Sequence, residues 1–276
     1  MPEAGIGGLD SLSLFRLDGR VAFLSGATGH LGQFMARALA GAGAHVIING
    51  RNTGRLEALA HSMVQQGSRV SMACFDVTDP DAAKGHIEKI SEKHGRLDIL
   101  VNNANSSRPG TMMSATSDDF AAAYAVNVTA AFRLLQLSSA LLRETAKLNP
   151  GGASVINIAS MYGHVSPDPS IYGGSGADNP PYYGPAKAGI IQLTRYAACH
   201  LAPERIRVNC ISPGAFPASR FLLRDPAFGG RLAAKVPMKR VGEPAELQGP
   251  LLFLASDASS YVTGTNLAVD GGWTAW

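Results

Sequence analysis

The chain has 276 residues, of which 46% are hydrophobic, and a formal net charge of only +3 at pH 7. This length and apolar content predict one large globular domain with a sizeable core. Because the basic residues are scattered, the charge does not favour nucleic acid or an anionic membrane as a partner. The cysteines, Cys74, Cys199 and Cys210, are irregularly spaced inside apolar runs and indicate neither a disulfide framework nor a metal site.

The first residues carry no recognisable targeting signal. Residues 1–18 show no basic region followed by an apolar one, and no later apolar run approaches the length of a membrane span. We therefore expect a soluble, cytoplasmic protein. Residues 1–13 are rich in glycine and predict a loose N-terminal arm, followed by a single domain over residues 14–276.

A short apolar run at residues 21–25 precedes a glycine-rich turn and then a helical pattern. Such runs are typical of strands buried on both faces of a parallel sheet. Strand, glycine turn and helix together favour a dinucleotide-binding loop. Gly26 permits the tight turn, Gly29 lets backbone amides approach a pyrophosphate, and Gly32 lets the helix pack closely on the strand. The alternative interpretation is an ordinary tight turn between strand and helix.

The end of the second predicted strand, residues 45–49, bears on the choice of cofactor. Folds that prefer the unphosphorylated dinucleotide place a carboxylate here against the adenosine ribose hydroxyls. This chain has Gly50 and Arg51 instead, so no carboxylate repels a 2′-phosphate and a guanidinium can pair with it. We expect NADP(H) to be preferred, with NAD(H) as the second choice. In the alternative interpretation Arg51 is a solvated loop residue.

Strand and helix patterns alternate to the end of the chain without a linker or a repeat. Further helices are predicted at residues 55–66, 82–94, 117–147, 181–201 and 243–255. Further strands are predicted at residues 70–75, 97–101, 153–159, 206–211 and 266–269. The alternation predicts an α/β fold, a single-domain doubly wound parallel sheet (Rossmann-like) with helices on both faces.

Polar side chains follow several of these strands. Asp76, before Val77, can accept a hydrogen bond from the adenine amino group or cap the next helix. Asn102 and Asn103 can bridge neighbouring strands and the cofactor ribose, or satisfy the backbone of a turn. Asn127 stands in an otherwise apolar helical stretch, where an amide that faces the core needs hydrogen-bond partners.

The helical stretch at residues 181–201 carries the most informative pair. Tyr183 and Lys187 are four residues apart, so their side chains point to the same side of the helix. A phenol is a poor acid or base near pH 7, and a nearby ammonium favours the phenolate. We therefore expect Lys187 to lower the pKa of Tyr183. The spacing alone is a weak signal, because a chance or surface pair gives the same pattern.

Two segments show no regular pattern. Residues 166–181 are rich in turn formers and connect the strand that ends before Ser160 to the helix that carries Tyr183. We expect this polar loop to recognise substrate, the alternative being a solvated excursion. Residues 216–241 are basic and irregular, and we expect them to form a lid.

The ordered set of motifs resembles the short-chain dehydrogenase/reductase family. The set comprises Gly26/Gly29/Gly32, Asp76-Val77, Asn102-Asn103-Ala104, Asn127, Ser160, Tyr183/Lys187, Ser212-Pro213-Gly214 and the ending Tyr261-Val262-Thr263-Gly264 with Val269-Asp270-Gly271-Gly272. Each motif is weak alone, but the order is specific and extends over the chain from about Leu14. Residues 183–196 are also similar to those of gluconate 5-dehydrogenase-type members.

The resemblance implies a role for each residue in a single dinucleotide-binding catalytic domain. Tyr183 is the acid/base, Ser160 hydrogen-bonds the reacting oxygen, and Lys187 lowers the pKa of Tyr183 and holds the nicotinamide ribose. Asn127 holds a water that links Lys187 to solvent, and the hydride belongs to the cofactor. The remaining cofactor contacts implied are Gly26, Thr28, Gly29, His30, Leu31, Gly32, Arg51, Asp76, Val77, Asn103, Ala104, Pro213, Gly214 and Phe216.

Three positions depart from the family pattern. His30 stands where the commonest members have the second loop glycine, and we expect it to reach the 2′-phosphate. Asn105 replaces the usual glycine. Ala218, followed by Ser219, occupies the position of a threonine that touches the nicotinamide amide, which puts that contact in doubt.

The resemblance implies an NAD(P)(H)-dependent oxidoreductase that interconverts a secondary alcohol and a ketone. The polar loop at residues 166–181, longer than is usual in the family, favours a small-molecule substrate: a sugar, sugar acid or polyol. The alternative is a 3-oxoacyl-carrier-protein reductase, whose acidic carrier would dock on the lid cations Arg220, Arg224, Arg231, Lys235, Lys239 and Arg240. A third hypothesis, an inactive cofactor-sensing regulator, has no need for the intact proton-transfer residues.

The resemblance also bears on assembly, because family members are mostly tetramers or dimers. Trp273 and Trp276 lie within the last four residues, and a contact between subunits would cover them. We therefore expect a homotetramer or homodimer.

Overall fold

The fold is known from a computed structural model that describes residues 10–106, 108–173 and 178–276. Within these ranges, seven parallel strands form one sheet in the order β3-β2-β1-β4-β5-β6-β7. The strands are β1 (Val21–Leu24), β2 (His45–Gly50), β3 (Val70–Cys74), β4 (Ile99–Asn102), β5 (Ala153–Ile158), β6 (Ile206–Pro213) and β7 (Asn266–Val269). The predicted doubly wound parallel sheet is confirmed.

Helices connect the strands and cover both faces of the sheet. They are α1 (Gly32–Gly41), α2 (Thr53–Gln65), α3 (Pro80–His94), α4 (Ser117–Tyr124), α5 (Ala130–Ala146), α6 (Tyr183–Leu201), α7 (Ser219–Arg224), α8 (Pro226–Lys235) and α9 (Gln248–Ala255). A π-helical turn, Ala125–Thr129, joins α4 to α5. One apolar cluster packs α1, α2 and α9 on the first face, and a second packs α3, α5 and α6 on the other.

The order of the strands places the site. The chain winds outward from β1 to β3 and then crosses back, so that β4 pairs with β1 on its other side. At this reversal the connections leave the sheet in opposite directions and open a crevice at the carboxyl ends of β1 and β4. The glycine turn, Asn103 and the polar residues beyond β5 and β6 all lie at this edge.

The two segments without a regular pattern have more structure than the sequence predicts. Residues 216–241 contain α7 and α8, so the prediction of an irregular segment was wrong. The loop at 166–181 contains a 3₁₀ helix, Pro169–Tyr172, and its Ile171 is buried against Leu232 and Trp273. Helices of six to ten residues show too few turns for their period to be read from sequence.

The predicted arm overlaps an ordered element at its end. Residues 1–9 lie outside the described part of the chain. A 3₁₀ helix, Ser11–Phe15, begins inside the range predicted as a loose arm, and the Asp10 side chain caps it by accepting from the Leu12 amide at 3.1 Å. The boundary of the arm at residue 13 is therefore not a structural boundary.

One described helical run, Ser117–Ala146, is long and apolar enough to cross a membrane by length and composition. No such run was expected from the sequence. In the structure its Leu134 and Leu142 are buried in the cluster that packs α3, α5 and α6 on the sheet. A core helix of a soluble protein has the same composition, so we assign the run to the fold.

Candidate active site

The glycine turn after β1 is held by side chains from the end of β4. Gly26 has a φ of +63°, and a Cβ there would lie only 2.9 Å from Cα of Ala104. Nδ2 of Asn103 donates to the carbonyls of Ser25 and Gly26, both at 3.0 Å, and Oγ of Ser25 accepts from the amides of Asn103 and Ala104. Asn103 therefore satisfies the backbone of a turn, in agreement with one of its two interpretations from the sequence.

The same turn leaves a surface suited to a diphosphate at the start of α1. A Cβ at Gly32 would clash with the Gly26 carbonyl, so helix and turn meet as closely as predicted. Gly29 is exposed, and Leu31 and Gly32 begin α1 with no side-chain cap for its first amides. Free amides at a helix N-terminus bind anions. The turn thus fits the pyrophosphate of a dinucleotide, with Thr28 beside it.

At the end of β2, Arg51 is available to an anion. Its side chain is 75% exposed, and its guanidinium is 3.5 Å from Asp76, too far for a strong ion pair. The other oxygen of Asp76 accepts from the amide and hydroxyl of Thr78 at 2.9 and 2.7 Å. Burial opposes ionisation of Asp76, but these hydrogen bonds and Arg51 keep its pKa below the ordinary value. Val77 is buried, and Asp79 rather than Asp76 caps α3.

His30 contacts the segment beyond β6. Its ring is hydrogen-bonded to the backbone of Phe216 beyond β6, and Phe216 in turn packs against Gly242. Its Nε2 is buried and has no hydrogen-bond partner among the described residues. Burial and the nearby Arg220 lower the pKa of His30. Contact of His30 with a 2′-phosphate stays a prediction; in the structure its ring is bonded to the segment beyond β6, and β6 and β2 lie on opposite sides of β1.

The turn after β6 closes the other side of the crevice. The amide of Gly214 donates to the Val269 carbonyl at 3.0 Å, and a Cβ at Gly214 would lie 2.5 Å from Cα of Asp270. Pro213 pairs in register with Val269. The turn that the resemblance assigns to the nicotinamide end is therefore fixed to β7, while Ala218 precedes the first turn of α7.

Close packing of two backbones brings Ser160 to the start of α6. Ser160 follows β5 and begins a 3₁₀ turn, Met161–Gly163. A Cβ at Gly163 would lie 2.9 Å from the Lys187 carbonyl, and a Cβ at Gly184 would lie 2.9 Å from the Tyr162 carbonyl. With glycine at both positions the turn lies directly on the helix, and the Ser160 hydroxyl is hydrogen-bonded to the Tyr183 phenol.

Tyr183 and Lys187 meet in a buried site. Lys187 is 3% exposed, its Nζ donates to the Ile158 carbonyl at 3.0 Å, and Nζ lies 5.6 Å from the centroid of the Tyr183 ring. Burial raises the pKa of Tyr183, with the hydrogen bond from Ser160 acting against it. Burial also lowers the pKa of Lys187 to about 8. The expected lowering of the Tyr183 pKa by Lys187 is not found, since burial favours the neutral form of each group.

Asn127 lies in the π-helical turn and is 6% exposed. Its Nδ2 donates to the Ala123 carbonyl at 2.9 Å, while its Oδ1 has no partner among the described residues. Asn102 bridges β4 to Asn157 of β5 at 2.9 Å and has the same unpartnered Oδ1. Both amides line a cavity of about 10 Å³ that also contacts Ile158, the residue that accepts from Lys187. A cavity of this size holds one water.

Tyr162, two residues after Ser160, was not predicted from the sequence as a site residue. Its hydroxyl is hydrogen-bonded to that of Tyr172, and its ring meets Trp273 edge-on at 6.3 Å between centroids. Both hydroxyls are close enough to Tyr183 to interact with it electrostatically. The spacing of Tyr162 from Ser160 was visible in the sequence, but its partners come from the irregular loop.

A family model described as enoyl-(acyl carrier protein) reductase matches residues 26–274. The chain belongs to the short-chain dehydrogenase/reductase family. It is therefore an oxidoreductase that acts on CH–OH groups with a nicotinamide cofactor, which supplies the hydride or accepts it. The structure brings together Ser160, Tyr183 and Lys187, the residues to which the resemblance assigns catalytic roles.

Relatives of this short-chain dehydrogenase/reductase span its whole length. An uncharacterized oxidoreductase of Mycobacterium tuberculosis is 35% identical, with 95% of each chain covered. A 3-oxoacyl-[acyl-carrier-protein] reductase of Thermotoga maritima is 33% identical, over 93% of this chain and 98% of the relative. The structure of a gluconate 5-dehydrogenase from Burkholderia cenocepacia with NADP and tartrate is 32% identical, covers 96% of this chain and 99% of its own, and has a TM-score of 0.85.

Replacing the phenol tests the acid/base role of Tyr183. We expect Tyr183→Phe to lower turnover by about two to four orders of magnitude, the usual contribution of a placed acid or base, while cofactor affinity stays near normal. Tyr182→Phe is the matched control, because the Tyr182 hydroxyl donates to the Arg108 carbonyl on another part of the chain. Steady-state kinetics and cofactor fluorescence titration measure both effects. A larger loss of turnover in Tyr182→Phe would contradict the assignment.

Burial of Lys187 predicts a stability that depends on pH. The folded chain binds the Lys187 proton with a pKa of about 8, against an ordinary 10.5, so protonated Lys187 opposes folding below pH 8. Between these values the unfolded chain holds more protons, and the stability contributed by this group rises with pH. We expect Lys187→Met to be inactive yet more stable than wild type at pH 7, by up to about 3 kcal/mol. The difference should shrink at pH 9.5 in urea unfolding; a constant difference would contradict it.

Proposed function

We propose that this protein is an NADP(H)-dependent dehydrogenase or reductase that interconverts a secondary alcohol and a ketone in a sugar, sugar acid or polyol, and so acts in carbohydrate metabolism. Tyr183 exchanges the proton of the substrate hydroxyl, and Ser160 hydrogen-bonds the reacting oxygen. Lys187 donates to the cofactor ribose, and its contact with Ile158 leads toward the cavity beside Asn127 for proton exchange with solvent.

The main support for a small polar substrate is that lid cations are paired with carboxylates of the same chain. Three of the six lid cations on which an acidic carrier would dock form ion pairs within the chain. Arg231 pairs with Asp225, Lys235 with Asp168 at 2.5 Å, and Arg240 with Glu246 at 2.6 Å. Lys239 lies over the ring of Trp276. Cations committed within the fold contribute less to docking a negatively charged protein.

The gluconate 5-dehydrogenase structure supports the same choice, since that protein is 32% identical over nearly the whole chain. The second candidate, a 3-oxoacyl-carrier-protein reductase, is favoured by the 33% identical Thermotoga relative. The loop at 166–181 supports the sugar hypothesis less than expected. Its Ile171 packs into an apolar cluster, so only part of the loop offers polar groups to the substrate.

The preference for NADP(H) rests on the exposed Arg51 and on the absence of a carboxylate at Gly50. The guanidinium lies beyond β2, where the adenosine ribose of a dinucleotide on this fold is bound. Its pairing with Asp76 at 3.5 Å is weak enough for a 2′-phosphate to compete.

We also propose a homotetramer or homodimer located in the cytoplasm. Trp276 is 76% exposed and a contact between subunits would cover it, whereas Trp273 packs on Tyr162 of its own chain. Phe132 of α5 and Tyr196 of α6 are also exposed, at 46% and 60%, and a second subunit would cover such side chains. Light scattering should give a mass two or four times 28.8 kDa, and the mass of one chain would contradict the proposal.

A substrate panel tests the proposed activity. Nicotinamide absorbance should show turnover with sugar acids, sugars or polyols and with NADP(H) in preference to NAD(H). The comparison compound is an oxoacyl thioester of the carrier protein. Faster turnover of the carrier thioester than of every polyol or sugar acid would establish the second candidate instead.

A carboxylate at position 50 tests the choice of cofactor. We expect Gly50→Asp to weaken NADP(H) binding by on the order of a few kcal/mol through like-charge repulsion and to turn the enzyme toward NAD(H). Gly50→Ala is the steric control, because its Cβ would lie 3.3 Å from Oγ1 of Thr28 and 3.6 Å from Leu56. Dissociation constants from fluorescence titration measure both. Wild-type enzyme that binds NAD(H) more tightly would overturn the role of Arg51.

A further inference from the structure

Three polar side chains meet beside the Tyr183 phenol, and the reaction described above uses none of them. They are Tyr162 from the turn after Ser160, Tyr172 from the loop, and Asn179 just before α6. Tyr162 is anchored at the site, since its amide donates to Oγ of Ser160 at 3.2 Å and its carbonyl abuts Gly184.

The three groups form a hydrogen-bonded set. The hydroxyl of Tyr162 and the amide of Asn179 are both hydrogen-bonded to the hydroxyl of Tyr172. Oδ1 of Asn179 is buried and has no hydrogen-bond partner among the described residues. A buried amide oxygen without a partner costs free energy, and a ligand hydroxyl that donates to it recovers that cost.

The set is held in place by the lid. The Tyr172 ring packs on Phe228 of α8 at 5.9 Å between centroids. Nε of Arg231 donates to the Ile171 carbonyl at 2.7 Å, and Lys235 pairs with Asp168 at 2.5 Å. The loop is therefore fixed on both sides of its 3₁₀ helix, which preorganises the polar groups next to the reacting centre.

The chemistry of these three side chains favours an uncharged oxygen group of the ligand. Burial raises the pKa of both Tyr162 and Tyr172, so both stay uncharged hydroxyls at any working pH. The nearby cations Arg231 and Lys235 are already paired with carboxylates. The unpartnered Oδ1 of Asn179 is an acceptor, so it matches a ligand hydroxyl better than a carboxylate, which has no proton to donate and needs a cation to offset its desolvation.

We propose that Tyr162, Tyr172 and Asn179 form a hydroxyl-recognition subsite, and that the substrate is a vicinal diol or the corresponding α-hydroxy ketone. The inference rests on the proposed function, since it assumes that Ser160 and Tyr183 hold the reacting oxygen. With that oxygen fixed, the subsite is close enough to receive the oxygen of the neighbouring carbon, because the hydroxyls of Tyr162 and Tyr172 both interact electrostatically with the Tyr183 phenol.

The experiment compares two ketones that differ by one hydroxyl, 3-hydroxybutan-2-one and butan-2-one, as substrates for reduction. We expect wild-type enzyme to prefer the hydroxy ketone in kcat/KM by about 10- to 100-fold, because a buried polar subsite penalises an analogue that leaves it unpaired. Tyr162→Phe should lose most of this preference, by a drop in kcat/KM for the hydroxy ketone and not for butan-2-one. Tyr172→Phe provides a second variant should Tyr162→Phe fold poorly.

Controls separate recognition from structure. Tyr261→Phe, at a fully exposed position before β7, should change neither kinetics nor preference. Cofactor dissociation constants should stay within about twofold in all three variants, by fluorescence titration. An equal fall for both ketones in Tyr162→Phe would show a merely structural role and overturn the subsite. Wild-type enzyme that reduces both ketones equally would overturn it while the proposed function stands, whereas no turnover of either ketone or of the sugar panel would overturn both.

Discussion

The close contact between the turn after β5 and the first turns of α6 determines the chemistry of this protein. Gly163 and Gly184 face the opposing backbone with no room for a Cβ, so the two elements meet without side chains between them. This contact brings Ser160 to Tyr183 and buries Lys187 against the end of β5. Burying the charged form of a lysine costs free energy, and this burial lowers the pKa of Lys187 to about 8. The fold thus gives up stability to keep this side chain away from water.

The cover of the site is built from the same chain and is fixed rather than loose. The 3₁₀ helix at Pro169–Tyr172 inserts Ile171 under α8, and an ion pair joins Asp168 to Lys235. The cations in these contacts are paired within the chain, so they are less available to bind a negatively charged partner. The same contacts also bring uncharged hydroxyl and amide groups toward Tyr183. The interactions that stabilise this loop therefore also position the groups that face the substrate.

The sequence predicted the parts of the site that depend on local spacing. Gly26 and Gly32 occupy positions where only glycine fits, and the four-residue spacing of Tyr183 and Lys187 places both on one side of α6. The doubly wound parallel sheet followed from the alternation of strands and helices, whereas the order of its strands came from the structure. The cavity beside Asn127 also agrees with its amide standing alone in an apolar helix, because such a group needs polar surroundings.

The amino-acid sequence by itself therefore determined the fold, the dinucleotide loop and the pair on α6, because each depends on residues close together in the chain. Only the tertiary structure decided the rest. The direction in which the Tyr183 pKa shifts depends on burial by several elements. The position of the His30 ring depends on its contact with the segment beyond β6. The pairing of Lys235 with Asp168 and the meeting of Tyr162 with Tyr172 join residues distant in sequence. No local pattern encodes such contacts, since they form only when the sheet and its covering helices are packed.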